Sequence, residues 1–119
     1  MANVNETLEA LMQIDGAGAM CLVDANSGMV LGKAGGGVNL DVAAAGNTEV
    51  VRAKLKTMKA LGITGSIEDI LITLDTQYHI IRLIPHKPGL FLYAVLDKAK
   101  SNLAMARYKI MDLEKSLAV

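Results

Sequence analysis

One cysteine, two histidines and a scatter of carboxylates are the side chains of this sequence that could make or break bonds. A thiolate nucleophile needs a base within hydrogen-bond reach, and that base needs a third group to orient it. Cys21 stands inside the apolar run Ala19-Met20-Cys21-Leu22-Val23, His79 inside a strand-like segment, and His86 in a Pro-rich loop. This spacing points to no Cys/His pair and supplies no metal ligand set. Cys21 reads as a small buried hydrophobe, His79 as half-buried in a sheet, and His86 as solvated. The acids Asp24, Asp41, Glu68, Asp69, Asp75 and Asp97 are scattered, several at the ends of predicted elements where solvated acids are common, so a paired-carboxylate site is not expected. Met12, Met20, Met58, Met105 and Met111 read as core fillers, with one or two free to line an adaptable binding surface.

The glycines invite a phosphate-binding reading and then fail its requirements. Gly32-Lys33-Ala34 lacks the hydroxyl residue of a P-loop, and three residues rather than four separate Gly28 from Gly32. Gly16-Ala17-Gly18 precedes a strand rather than a helix, so it is no dinucleotide fingerprint. No cofactor is therefore expected. Twelve basic residues balance twelve acidic ones, and no basic stripe with interleaved aromatics appears, so nucleic-acid binding lacks its electrostatic footprint. A lone cysteine forms no internal disulfide and suits a reducing, cytoplasmic setting. Neither a secretory leader nor an apolar run near the ~18 residues of a membrane span is expected.

The elements that hold these residues follow from periodicity and punctuation. The 119 residues fit one domain, 1–119. Helix 1 is predicted from Val4 to Ile14 on the stripe Val4, Leu8, Leu11 and Ile14, with Asn3 and Glu6 spaced as a capping box. Strands 1 and 2, about Ala19–Asp24 and Met29–Lys33, flank the turn Ala25-Asn26-Ser27-Gly28 and form a hairpin. Helix 2 is predicted from Leu40 or Asp41 to Leu61, capped by Asn39 or Asp41 and stopped by Gly62. Val51, Leu55 and Met58 form one stripe on it; Val42, Gly46, Val50 and Ala53 form a second, making a wide apolar face. Strand 3 is predicted over Asp69–Asp75, strand 4 over Tyr78–Ile84 and strand 5 over Leu90–Leu96, the last apolar on both faces. Helix 3 is predicted over Asn102–Leu117, burying Leu103, Ala106, Ile110, Leu113 and Leu117 and exposing Arg107, Lys109, Asp112, Glu114 and Lys115. The order αββαβββα with short connections implies an α+β fold built on an antiparallel sheet.

That order, together with several local patterns, resembles the Roadblock/dynein-light-chain family, in its bacterial small-GTPase-regulator type. The patterns are Leu22-Val23-Asp24 and Met29-Val30-Leu31-Gly32 in the first hairpin, and Tyr78-His79-Ile80-Ile81-Arg82-Leu83 in the middle. At the end they are Leu92-Tyr93-Ala94-Val95-Leu96-Asp97-Lys98 and Asn102-Leu103-Ala104-Met105-Ala106-Arg107. The likeness spans helix 1 to helix 3. It implies a profilin-like, five-stranded antiparallel sheet in the order 2-1-5-4-3, with helices 1 and 3 on one face and helix 2 on the other. It also implies a homodimer in which strand 3 pairs with its counterpart and the two helices 2 pack together. The residues agree with that dimer. Edge strands usually carry Pro, Lys or bulges that discourage pairing, and Ile70-Leu71-Ile72-Thr73-Leu74 carries no Pro or Lys. Strand 2, at the other edge, runs into Lys33 and three glycines. The expected seam comprises Val50, Ala53, Lys54, Met58, Ile70, Ile72 and Leu74 and would bury about 1,600 Å² in total.

By resemblance, the expected function is a non-catalytic homodimeric scaffold or regulator that binds a Ras-like small GTPase. Arg52, Lys56 and Lys59, beside the seam, are the expected partner surface. Arg52, Arg82 and Arg107 read as solvated or ion-paired rather than as an arginine finger. The chain shows none of the long terminal extensions of some relatives, which argues against direct membrane or motor tethering. Two alternatives remain. One is a structural subunit with no GTPase link, and the other is a small-molecule sensor using a cleft between sheet and helix.

Overall fold

In the computed structural model, which describes residues 2–119, five strands and three α-helices follow the order αββαβββα. The helix α1 (Val4–Leu11) begins at the capping box expected from the sequence. Asn3 Oδ1 accepts the Glu6 backbone N–H at 2.8 Å, and Glu6 Oε1 accepts the Asn3 backbone N–H at 3.2 Å. The strands are β1 (Ala17–Asp24), β2 (Met29–Gly35), β3 (Asp69–Thr73), β4 (Gln77–Leu83) and β5 (Leu90–Asp97). α2 (Leu40–Ala60) connects β2 to β3, and α3 (Leu103–Glu114) closes the chain. The strands form one antiparallel sheet in the order β2-β1-β5-β4-β3.

β5 is central, and Phe91 to Leu96 are all buried, because both of its faces are covered. Alternation along the strands divides the core into two layers. On one face Met20, Leu22, Ile80, Leu92 and Leu96 meet Leu8 and Leu11 of α1 and Ala106 and Ile110 of α3. On the other, Cys21, Val23, Ile81, Phe91 and Tyr93 meet Leu40, Ala44 and Val51 of α2. Each fully buried Leu, Ile or Phe contributes roughly 1.5–3 kcal/mol from burial alone. α1 lies unusually close to β2: a Cβ at Gly32 would stand 2.5 Å from Val4 Cγ1. The absent side chain is what permits that approach.

Several boundaries differ from expectation. α1 stops at Leu11 rather than Ile14, although Ile14 is still buried, in the turn that follows. β3 stops at Thr73 rather than Asp75, because the chain turns there and the Leu74 N–H donates to the Gln77 carbonyl at 2.8 Å. α3 stops at Glu114 rather than Leu117. The chain leaves the helix so that Leu117 can form a bridge with Ala2. Ala2 N–H donates to Ser116 O at 2.8 Å, and Ala118 N–H donates to Ala2 O at 2.7 Å. Met105 and Met111, expected in the core, lie on the outer face of α3 at 50% and 39% exposure.

Glu114 reverses its expected placement. It is buried, and its Oε1 accepts from Arg82 Nη2 at 2.7 Å and Nε at 3.0 Å. Arg82 also donates through Nη1 to the Glu68 carbonyl at 3.2 Å. A buried pair of this kind is costly to break, because either partner left alone is an uncompensated charge. A second pair, Arg107 to Asp69 in a two-pronged grip of 2.8 and 2.9 Å, also ties α3 to the sheet. Asp69 is thus an ion-paired strand residue, not a solvated acid. These two pairs fix α3 against β4 and β3 and leave the opposite sheet face to α2.

Candidate functional site

The groups that could do chemistry are held apart. Cys21 is on β1, with its side chain in the layer beneath α2, and its thiol is pushed up to about 12 by burial and, secondarily, by the nearby Asp41 charge. His79 is on β4, with β5 between it and β1. It belongs to a polar chain: Tyr93 Oη lies 3.0 Å from His79 Nδ1, and His79 Nε2 lies 2.9 Å from Gln77 Oε1. A neutral imidazole with its proton on Nε2 satisfies both contacts, Tyr93 O–H donating and Gln77 Oε1 accepting. The Tyr93 ring also meets the imidazole edge-on at 5.5 Å. Burial pushes the His79 pKa down. It pushes the Tyr93 hydroxyl up, partly offset by the Asn47 side chain. His86 lies in the β4–β5 loop, its Nε2 3.3 Å from the Leu117 carbonyl. No group of three or more His, Cys, Asp or Glu placed to hold a metal occurs among the described residues. No helix among them is long and apolar enough to cross a membrane.

The surface that stands out is built by α2 and the β3 edge. α2 is 21 residues, about 31 Å long. Asn39 caps its start by accepting the Val42 N–H at 3.1 Å. At its end Gly62 takes φ +70°, Ile63 N–H reaches the Met58 carbonyl at 2.9 Å, and Gly62 N–H reaches Lys59 O at 3.1 Å. That is a full Schellman stop.

Only Leu40, Ala44, Thr48 and Val51 of α2 are buried. At about 100° per residue they occupy one narrow strip. The second stripe read from the sequence is left bare: Val42 is 66% exposed and Val50 37%, and Gly46 and Ala53 are exposed too. Leu61 continues it at 66%. By the same periodicity Val42, Gly46 and Ala53 lie on the side of α2 away from the buried strip, and Val50 lies next to Asn47, on the flank opposite Arg52 and so towards β5, β4 and β3.

β3 is the sheet edge on that side. Among the described residues it pairs with β4 alone. Ile70 stands opposite Ile81 and Ile72 opposite His79, which puts both on the α2 face, half-buried. Leu71 faces the other way, and Leu74 is 42% exposed beyond the strand. Of the expected seam residues, Val50, Ala53, Lys54 and Leu74 are exposed, and Met58, Ile70 and Ile72 are half-buried. The other edge differs. Leu22 pairs with Gly32 and Val23 with Val30, so Leu31 is a bulge in β2.

The opposite flank of α2 carries Arg52, Lys56 and Lys59, whereas Lys54 lies on the seam side. Arg52 Nη2 donates to the carbonyls of Ala25 at 3.0 Å and Asn26 at 2.8 Å, and Nη1 pairs with Glu49 at 3.1 Å. It is thus a fastener between α2 and the β1–β2 turn. Lys56 and Lys59 are exposed and enter no ion pair among the described residues. Sequence reading missed the Arg82–Glu114 pair and the Tyr93–His79 contact. A signal for the first existed, since Glu114 follows Ala106 and Ile110 at four-residue steps along the buried strip.

No family model matches the sequence, and no curated protein matches it. Solved structures do. Myxococcus xanthus MglB superposes with a TM-score of 0.82 over 94% of this chain and 89% of that one, at 18% identity. A Roadblock/LC7 domain from Streptomyces avermitilis gives 0.83 over 97% and 94%, at 17% identity. A structure described as MglB with tetrameric arrangement gives 0.71 over 94% and 88%, at 18% identity.

Proposed function

We propose that this chain, which has the Roadblock/LC7 fold, works over residues 1–119 as a non-catalytic homodimeric scaffold or regulator. Two protomers join edge to edge through β3, with Val50, Ala53, Lys54 and Met58 of α2 packing beside Ile70, Ile72 and Leu74. The observation that carries this reading is the coincidence of an unguarded strand edge with a bare apolar helix flank on the same sheet face. The similar MglB described in a tetrameric arrangement supports self-association in this fold. Light scattering on the unmodified chain at tens of micromolar is expected to give the mass of two protomers. Ile72→Lys and, independently, the surface substitution Val50→Glu are expected to shift it towards one. A monomeric unmodified chain overturns the seam.

The partner class implied by the Roadblock resemblance is a Ras-like small GTPase. Its contact surface is the basic flank of α2, with Lys56 and Lys59 as the free charges and Arg52 behind them. Co-purification from the native cell is expected to recover such a GTPase, and Lys56→Glu with Lys59→Glu to lose it. Recovery of other partners alone favours a structural subunit without a GTPase link. A cavity of about 700 Å³ between the β2–α2 loop, the β3–β4 turn and the end of β5 keeps the small-molecule reading in view, since Asp75, Gln77, Asp97 and Lys98 line it. Thermal stabilisation by a metabolite would favour that reading.

A further inference from the structure

A groove of about 530 Å³ runs under the C-terminal half of α2, at the opposite end of the sheet from the cavity described above. Val51 and Leu55 of α2 overhang it. Leu83, Ile84, Pro85 and Phe91 of the β4–β5 hairpin line it too, as does Glu68, just before β3. The lining is mainly apolar, its charged members being Glu68 and Arg82, the latter neutralised by Glu114, and Leu55 is 43% exposed.

The α2 rim is electrostatically one-sided. Between Val50 and Ile67 the chain carries Arg52, Lys54, Lys56 and Lys59 and no acid. Helix periodicity sets Lys59 one turn beyond Leu55 on the same strip, and Lys56 three residues before Lys59, farther round the helix from Leu55. Only Lys59 lies in the last turn, where a cation offsets the helix dipole. Neither Lys56 nor Lys59 has an acidic partner among the described residues. By helix periodicity Lys59 lies about 120° round α2 from Ala53 of the bare apolar stripe, on the Arg52 side, and Lys56 lies between them.

We propose that this groove receives an amphipathic helical segment of a partner protein, with apolar side chains in the groove and acidic side chains against Lys56 and Lys59. This is the helix-in-groove mode of recognition. The charge pattern selects the occupant, since acids on one flank meet the lysines while Glu68 disfavours acids on the other. The proposal refines the partner surface given above and rests on it for the role of that helix flank.

The test uses a fluorescent synthetic helix with leucines at i, i+3, i+4 and i+7 and glutamates along one flank, and a counterpart with lysines in place of the glutamates. The full chain is expected to bind the acidic peptide saturably and to lose affinity as salt rises. Lys56→Glu with Lys59→Glu is expected to weaken it about tenfold, and Leu55→Ser to weaken it as well. Amide shifts should cluster at Val51, Leu55, Leu83, Ile84 and Phe91. All three substituted side chains are exposed, so the variants are expected to fold. Equal binding of the basic peptide, indifference to the charge reversal, or shifts confined to other residues each overturn the proposal. If the peptide binds but no GTPase is recovered from cells, the GTPase reading falls and the groove stands. If a GTPase is recovered but the peptide is refused, the groove falls and that reading stands.

Discussion

Cys21 and His79 show how far burial sets the chemistry of single side chains. The thiolate is the reactive form of cysteine, and a thiol pushed up to about 12 holds almost none of it near neutrality. A thiol reagent near pH 8 is therefore expected to label Cys21 only as fast as the protein unfolds, and fully in denaturant. Rapid labelling in native buffer would contradict that burial. For His79, the folded state favours the neutral ring, so its pKa lies below the ordinary 6.5. Between that lowered value and 6.5 the unfolded chain binds a proton that the folded chain does not. Stability is then full above about pH 6.5 and falls as the pH drops towards the lowered value. His79→Gln should flatten that dependence in denaturant titrations at a series of pH values; an unchanged slope assigns it elsewhere. Cys21 was legible because an apolar run on both sides leaves little choice. The Arg82–Glu114 pair was not, because charge type outweighed position. Arg82 is in phase with Ile80 on β4 and with Ile84 just beyond it, as Glu114 is with Ile110 on α3.

At the scale of elements, every α-helix and strand was visible in periodicity, while the short 3-10 turn Lys98–Lys100 was not, and the ends were where tertiary contacts overrode it. The caps are the exception, because they are local chemistry. Asn3 with Glu6, Asn39 and Gly62 all act where their types and spacing implied. Gly62 carries a testable cost. It sits at φ +70° with open space around it, so an added side chain meets no neighbour but still strains the backbone. Gly62→Ala is expected to destabilise the fold by about 1–2 kcal/mol, seen as a lower denaturant midpoint with an unchanged slope. A neutral result would mean that the chain leaves α2 without holding Gly62 in the left-handed conformation. What periodicity could not tell was the fate of each α2 flank. A broad apolar face on a helix does not say which part its own sheet will take. Here the sheet takes only the strip through Ala44, Thr48 and Val51.

For the whole molecule, strand order is the feature least readable from residues alone. β1 pairs with β5 across some seventy residues of chain, and only the family resemblance supplied 2-1-5-4-3 in advance. The two core layers then follow from alternation, and the buried and bare parts of α2 follow from which strands lie beneath it. The basic character of the C-terminal half of α2 was legible as charge. The groove beside it was not, because Leu55 and Phe91 meet only through folding.

The two borders of this sheet are unlike. The β2 border is kinked by the extra residue at Leu31 and trails into glycines, whereas the β3 border is straight and greasy. A tile with adhesive on one side joins a single mate and then stops growing. In the proposed dimer, self-association through β3 would be closed by a two-fold axis, and raising the concentration is then expected to level off at a fixed mass rather than spin out fibres. Straightening the other border by deleting Leu31 would remove that safeguard and invite end-to-end growth, visible as turbidity or thioflavin signal.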